Sequence, residues 1–214
     1  MTNARSGSAD GGKQLQALIG DTTSGIEAVA ALLNGLSEDE KLGALRSLGR
    51  GAQRLLYRKA APSRPLTLSD FVPATRVPLD AVRHAGTNTL PLPGSLRYFE
   101  KRFCRPEDGS ARLFGYNESP FVGTIGPGFF VAVPTAGKPE WERRGGVVVD
   151  YFQIPDGPVA ASFPPVVPNT KGLQRFVYHQ TRDFMRRVSD RVTIGAAYKI
   201  EKALDHYFVL LALD

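Results

Sequence analysis

From residue 96 onward the chain is cut into short runs of β-forming residues joined by short turns, and this spacing excludes most architectures. Parallel strands need crossovers of a dozen residues or more, so connections this short favour antiparallel pairing. Aromatic residues at Tyr98, Phe99 and Phe103 precede the turn Pro106-Glu107-Asp108-Gly109 and a second run at 111–116. Runs at 121–125 and 129–133 flank Gly126-Pro127-Gly128, and the stretch 146–154 (GVVVDYFQI) is the clearest strand. A final hairpin pairs 192–200 with 206–213 around 201–205. Its last strand is apolar on both faces, which predicts cover on both sides.

One long helix is expected between these strands, over 171–188. Asn169 or Thr170 can cap it, and Leu173, Phe176, Val177, Phe184 and Val188 follow helical spacing. The preceding loop, 155–169, carries five prolines and has the length of a lid. At the other end, residues 1–12 are small and polar and read as a disordered tail. Residues 13–60 read as a helical hairpin. Its first helix carries Ile26, Val29, Ala30 and Leu33. Its second opens on the capping box Ser37/Glu40 and carries Leu42, Leu45, Leu48, Ala52, Leu55 and Leu56. A Pro-rich connector, 61–95, follows, with a short helix at 78–85. The fold class is therefore α+β. An N-terminal helical hairpin leads into a domain spanning 96–214, a mostly antiparallel curved sheet or partly closed β-barrel with one long helix packed on it.

With 42% hydrophobic and 22% charged residues over 214 positions, the chain can bury a core without staples. Its one cysteine, Cys104, and the lack of an apolar core in 1–12 point to the cytoplasm. The apolar runs are too short for membrane insertion. The formal charge of +6 favours anionic surroundings in general. Arg46, Arg50, Arg54 and Arg58 recur every four residues, a stripe that suits phosphates. Acidic residues at 38–40 precede it, so the order equally suits the helix dipole, and no nucleic-acid-binding motif accompanies it. Nucleic acid is therefore the lesser partner. The helical hairpin is also a surface through which two copies could pair.

The glycine-rich run 123–128 leads into a strand rather than a helix, which argues for a turn over a phosphate cradle. His84, His179 and His206 are too scattered for a metal site, and no cofactor motif is present. Alternation along 147–152 sets Asp150 among apolar groups, where it could act as an acceptor or base. His179 is the second acid/base candidate.

The order of elements from Tyr98 onward resembles a bacterial GXWXG-type, lipocalin-like domain of unknown function. The likeness rests on Tyr98, Lys101 and Phe103 for a W-x-G-K-x-F segment, on 147–151 for an apolar strand ending in Asp-Tyr, and on Gly195, Ala197 and Tyr198 for a G-x-A-Y hairpin. Tyr98 stands for the tryptophan and Glu100 for the motif glycine. The resemblance implies a small barrel with an apolar pocket. On this basis the leading expectation is a binding module for an apolar or aromatic small molecule, lined by Lys101, Phe121, Phe129, Tyr151, Phe163, Tyr198 and Phe208. The alternatives are an enzyme working through Asp150 or His179 on a hydrophobic substrate, and a scaffold using the arginine stripe.

Overall fold

The computed structural model describes residues 3–91 and 94–213, with 3–9 as backbone only. Four helices come first: α1 (Asn3–Gly20), α2 (Ile26–Gly35), α3 (Glu38–Arg46) and α4 (Arg50–Lys59). Eight strands follow: β1 (Val82–Asn88), β2 (Tyr98–Cys104), β3 (Leu113–Glu118), β4 (Phe130–Pro134), β5 (Val147–Asp150), β6 (Thr181–Arg187), β7 (Val192–Lys199) and β8 (Lys202–Ala212). Each pairs antiparallel with its neighbour in sequence, and β1 pairs with β8, so the sheet closes into a barrel. Short helices α5 (Val122–Ile125), α6 (Pro139–Glu142) and α7 (Gln174–Val177) interrupt the connections. Among the described residues no helix is long and apolar enough to cross a membrane.

The expected capping box starts α3: the Ser37 hydroxyl accepts from the Glu40 N–H, and the Glu40 carboxylate accepts from the Ser37 N–H. The expected second helix is two helices, because the chain turns at Ser47–Gly49. There the Ser47 hydroxyl bonds back to the Ala44 carbonyl and Gly49 is extended. The helices lay Leu15, Val29, Leu33, Leu45, Leu48 and Leu56 on the outer faces of Val192, Ile194, Val209 and Leu211. Burying each such side chain contributes about 1.5–3 kcal/mol. This layer is the outer cover that the two-faced final strand required.

Two further apolar clusters complete the molecule. Inside the barrel, Phe103, Phe130, Val147, Val149, Met185 and Leu210 pack against Leu66, Phe71 and Val72. The connector therefore plugs one end of the barrel. Outside it, Cys104, Phe114, Tyr116, Phe129 and Val131 are covered by Ala160 and Phe163 of the Pro-rich loop.

Several expectations are corrected. The long helix 171–188 does not exist: only Gln174–Val177 is helical, Gln180 turns with φ 61°, and 181–187 is strand β6. Its sequence, TRDFMRR, sends Thr181, Asp183 and Met185 inward, a period of two that the chance helical spacing of Phe176, Phe184 and Val188 concealed. The 78–85 helix is also absent. Leu79 turns with φ 63° and the chain enters β1, so the barrel begins ahead of residue 96. The run expected as a strand over 121–125 holds α5, Val122–Ile125, instead. The tail expected over 1–12 is helical from Asn3, while residues 1–2 lie outside those described.

Candidate functional site

The barrel end opposite the plug is open, and a cavity of about 470 Å³ enters it. Its walls are mainly apolar: Phe99 from β2, Ile125 from α5, Tyr178 after α7, Ala197 from β7 and Phe208 from β8 are among them. Glycines make the aromatic walls fit. A Cβ on Gly86 would lie 2.5 Å from the Phe99 ring, and one on Gly195 would lie 2.3 Å from the Phe208 ring. Each missing side chain leaves room for a ring to lie flat against the sheet.

The floor is polar. Lys101 points inward from β2, 1% exposed, and its ammonium donates to Asn117 Oδ1 at 2.8 Å and to the Tyr151 hydroxyl. It pairs with Asp183 Oδ2 at 3.1 Å. These three acceptors match its three donors. The Tyr151 hydroxyl lies 3.2 Å from Asp183 Oδ2, and Asn117 Nδ2 donates to the Gly128 carbonyl at 2.9 Å. The network is thus satisfied, which a buried charged pair requires. Rings of Phe130, Tyr151 and Phe208 lie about 5 Å from the ammonium.

Burial pushes the Lys101 ammonium below its ordinary range, while Asp183 restores part of it. Burial pushes the Asp183 carboxyl up, against the pull of Lys101 and the Tyr151 hydroxyl. Tyr151 is held well above its ordinary value, first by burial and then by the Asp183 charge. It therefore stays protonated at neutral pH. The Tyr178 ring stacks on Tyr151 at 5.3 Å, and it can do so because Gly128, at φ 56°, leaves the space a Cβ would fill. Higher on the wall, burial lowers the basicity of His206, so its imidazole is neutral at pH 7. Its Nδ1, shielded from water, has no hydrogen-bond partner among the described residues.

Four of the residues expected to line a pocket do so: Lys101, Phe121, Tyr151 and Phe208. Phe129 and Phe163 are on the outside of the barrel, in the cluster beneath the Pro-rich loop, and Tyr198 faces outward beside the helical layer. The loop itself lies against the barrel wall and does not cover the mouth. Asp150 is buried on the outer side, where it accepts from the Phe152 N–H and Gln153 Nε2 and pairs with Arg182 at 3.2 Å. His179 sits in the turn after α7, half-buried, and does not line the cavity. Burial raises the Cys104 thiol to about 11, which leaves it inert.

The arginine stripe binds helix to barrel. Arg46 stacks over the Tyr98 ring at 4.4 Å, Arg50 donates to the Thr89 carbonyl at 3.0 Å, and Arg54 Nε donates to Asp205 at 2.8 Å. Arg58 is exposed. Among the described residues no cluster of His, Cys, Asp and Glu could hold a metal ion. Asp183, Asn117 and Tyr178 line the cavity and were missed by sequence reasoning. The signal for Asp183 was the period of two in 181–187.

No protein-family model, curated protein or solved structure matches this chain.

Proposed function

We propose that this protein is a lipocalin-like binding module that holds an apolar or aromatic small molecule in the mouth of its barrel. The observation that carries the reading is an apolar-walled cavity ending on a buried, internally compensated polar floor. Binding sites of this size take most of their affinity from apolar burial and their orientation from a few polar groups. Lys101 and Tyr151, two of the residues behind the lipocalin-like resemblance, both reach that floor.

The floor also limits the ligand. Asp183 already neutralises Lys101, so a charged group brought there would be desolvated without a free counter-charge. A hydroxyl or carbonyl suits it better, with His206, whose Nδ1 has no partner among the described residues, to bond it. Such a ligand enters apolar end outward or lies flat against Phe99 and Phe208.

The test is titration with the neutral fluorophore N-phenylnaphthylamine. Wild type should enhance its emission, and Ala197→Trp, which fills the cavity from β7, should abolish the enhancement without lowering thermal stability. Equal enhancement by both proteins would remove the cavity as the binding site. A second reading, acid/base catalysis on a hydrophobic substrate, is favoured by the raised Asp183 carboxyl beside Tyr151. It moves the working carboxylate from Asp150 to Asp183. Turnover of such a substrate would then be lost in Asp183→Asn and unchanged in Asp150→Asn.

A further inference from the structure

The cavity mouth is rimmed by apolar side chains that none of the described residues covers. Leu90, Leu96, Leu173, Phe176, Val177 and Leu204 are exposed, Phe176 to 71%. They belong to two of the connections at the open end, β1–β2 and β5–β6, and to the start of β8, and four of them line the cavity directly. Ile200, in the adjoining β7–β8 turn, is 63% exposed. At the plugged end, among the described residues, the connector leaves only Val77 comparably bare. Single exposed apolar residues are ordinary, but a contiguous set around a cavity marks a contact surface.

Charge on the same segments identifies what it contacts. Lys171 and Arg175 flank Leu173 and Phe176, and Lys199 and Lys202 flank Ile200. None of these four pairs with a carboxylate among the described residues. Two nearby acids are paired, Glu201 with Arg144 and Arg182 and Asp205 with Arg54, while Glu118, which accepts from the neutral Tyr116 hydroxyl, is one negative charge against these four positive ones. The rim therefore presents apolar side chains set among cations in excess. That is the combination that holds a protein at an anionic bilayer without spanning it.

We propose that the barrel mouth docks on an anionic lipid surface. Phe176 and Leu173 seat among the acyl chains, Lys171, Arg175, Lys199 and Lys202 meet the phosphate headgroups, and an apolar ligand passes between bilayer and cavity without crossing water. The proposal rests on the binding-module reading for its ligand, but the docking surface is separately measurable.

The experiment is flotation of the full chain with vesicles of phosphatidylcholine alone or mixed with phosphatidylglycerol, at low and high salt. The mixed vesicles should carry the protein at low salt and release it at high salt. Phe176→Asp should lower the bound fraction about tenfold or more. Lys171→Glu with Arg175→Glu should do the same at low salt. These side chains are exposed, so thermal unfolding should be unchanged. Failure to float with either vesicle, or equal flotation with both, overturns the proposal. So does a dimer in light scattering that Phe176→Asp dissolves, since the rim would then be a contact between copies. If vesicles carry the protein and N-phenylnaphthylamine still fails to bind, the docking surface stands and the cavity reading falls.

Discussion

Two acid–base pairs finish the two ends of the barrel interior, and they are built oppositely. At the plugged end Arg187, from β6, pairs with Asp70 of the connector. At the open end Lys101 pairs with Asp183. Burial pushes both carboxyls up. At Asp70 the Thr67 N–H, the Arg187 guanidinium and the Thr67 hydroxyl reverse that push and hold it below its usual value. At Asp183 the pull of Lys101 and the Tyr151 hydroxyl is outweighed by burial. The first arrangement is a clamp that fastens the plug. The second keeps a carboxyl with a raised pKa buried beside an apolar cavity, an arrangement more typical of sites than of structural fastenings.

This contrast can be broken from the plug side first. Phe71→Ala should cost about 4 kcal/mol, read as a lower urea midpoint, because the ring is fully buried against Phe103 and His84. Fluorophore affinity measured under folding conditions should stay within twofold, since Phe71 does not line the cavity. A large loss of affinity would mean that the ends are coupled. On the open side, Lys101→Met should cost about 3 kcal/mol by leaving Asp183 buried without its cation. Adding Asp183→Leu should recover more than half of that loss. A double variant no more stable than Lys101→Met would show that the ion pair is not what the lysine supports.

The smallest effect sharpens the difference between the carboxyls. Because the folded value of Asp70 is lowered, its contribution is present above its unfolded value of 3.8 and lost as pH falls through the lowered folded value. Asp70→Asn should therefore be less stable than wild type by about 1 kcal/mol at neutral pH. The gap should close below about pH 4 in thermal unfolding followed across pH. Asp183 has the opposite sign, since its raised carboxyl favours the fold at low pH. A gap for Asp70→Asn that widens on acidification would cancel the distinction.

Turn chemistry was the most legible part of the sequence. Pro106 to Gly109 announced its hairpin and Ser37 with Glu40 announced α3, because these signals are local; the closing hairpin was expected to turn over 201–205 but turns at Ile200–Glu201, with 202–205 already in β8. Lys101 and Tyr151, both expected to line a pocket, do line the cavity. Which face of a strand looks inward was not legible. β3 and β5 are buried on both sides, since helices and the Pro-rich loop cover much of the outer wall. Alternation then separates two faces without saying which is the interior, and so Phe129 was assigned to the pocket and belongs to the outside. Asp183 was lost for a different reason. The alternation of β6 is written in arginines, a phenylalanine and a methionine, and five apolar positions from Leu173 to Val188 imitate a helical stripe.

Closure of the barrel brings Ala212 beside His84 and Phe208 beside Asn88. The first strand made must therefore wait for the last. Until β8 is in place, β1 and β7 each carry an unpaired edge, and the helices lack half of the wall they cover. A chain emerging in order from its N-terminus accumulates helices and seven strands with no finished core. Its productive folding is set by non-local contacts and is correspondingly slow. Loss of β8 would leave an open sheet prone to pairing with other chains, and the barrel's vulnerability during synthesis is concentrated in that strand.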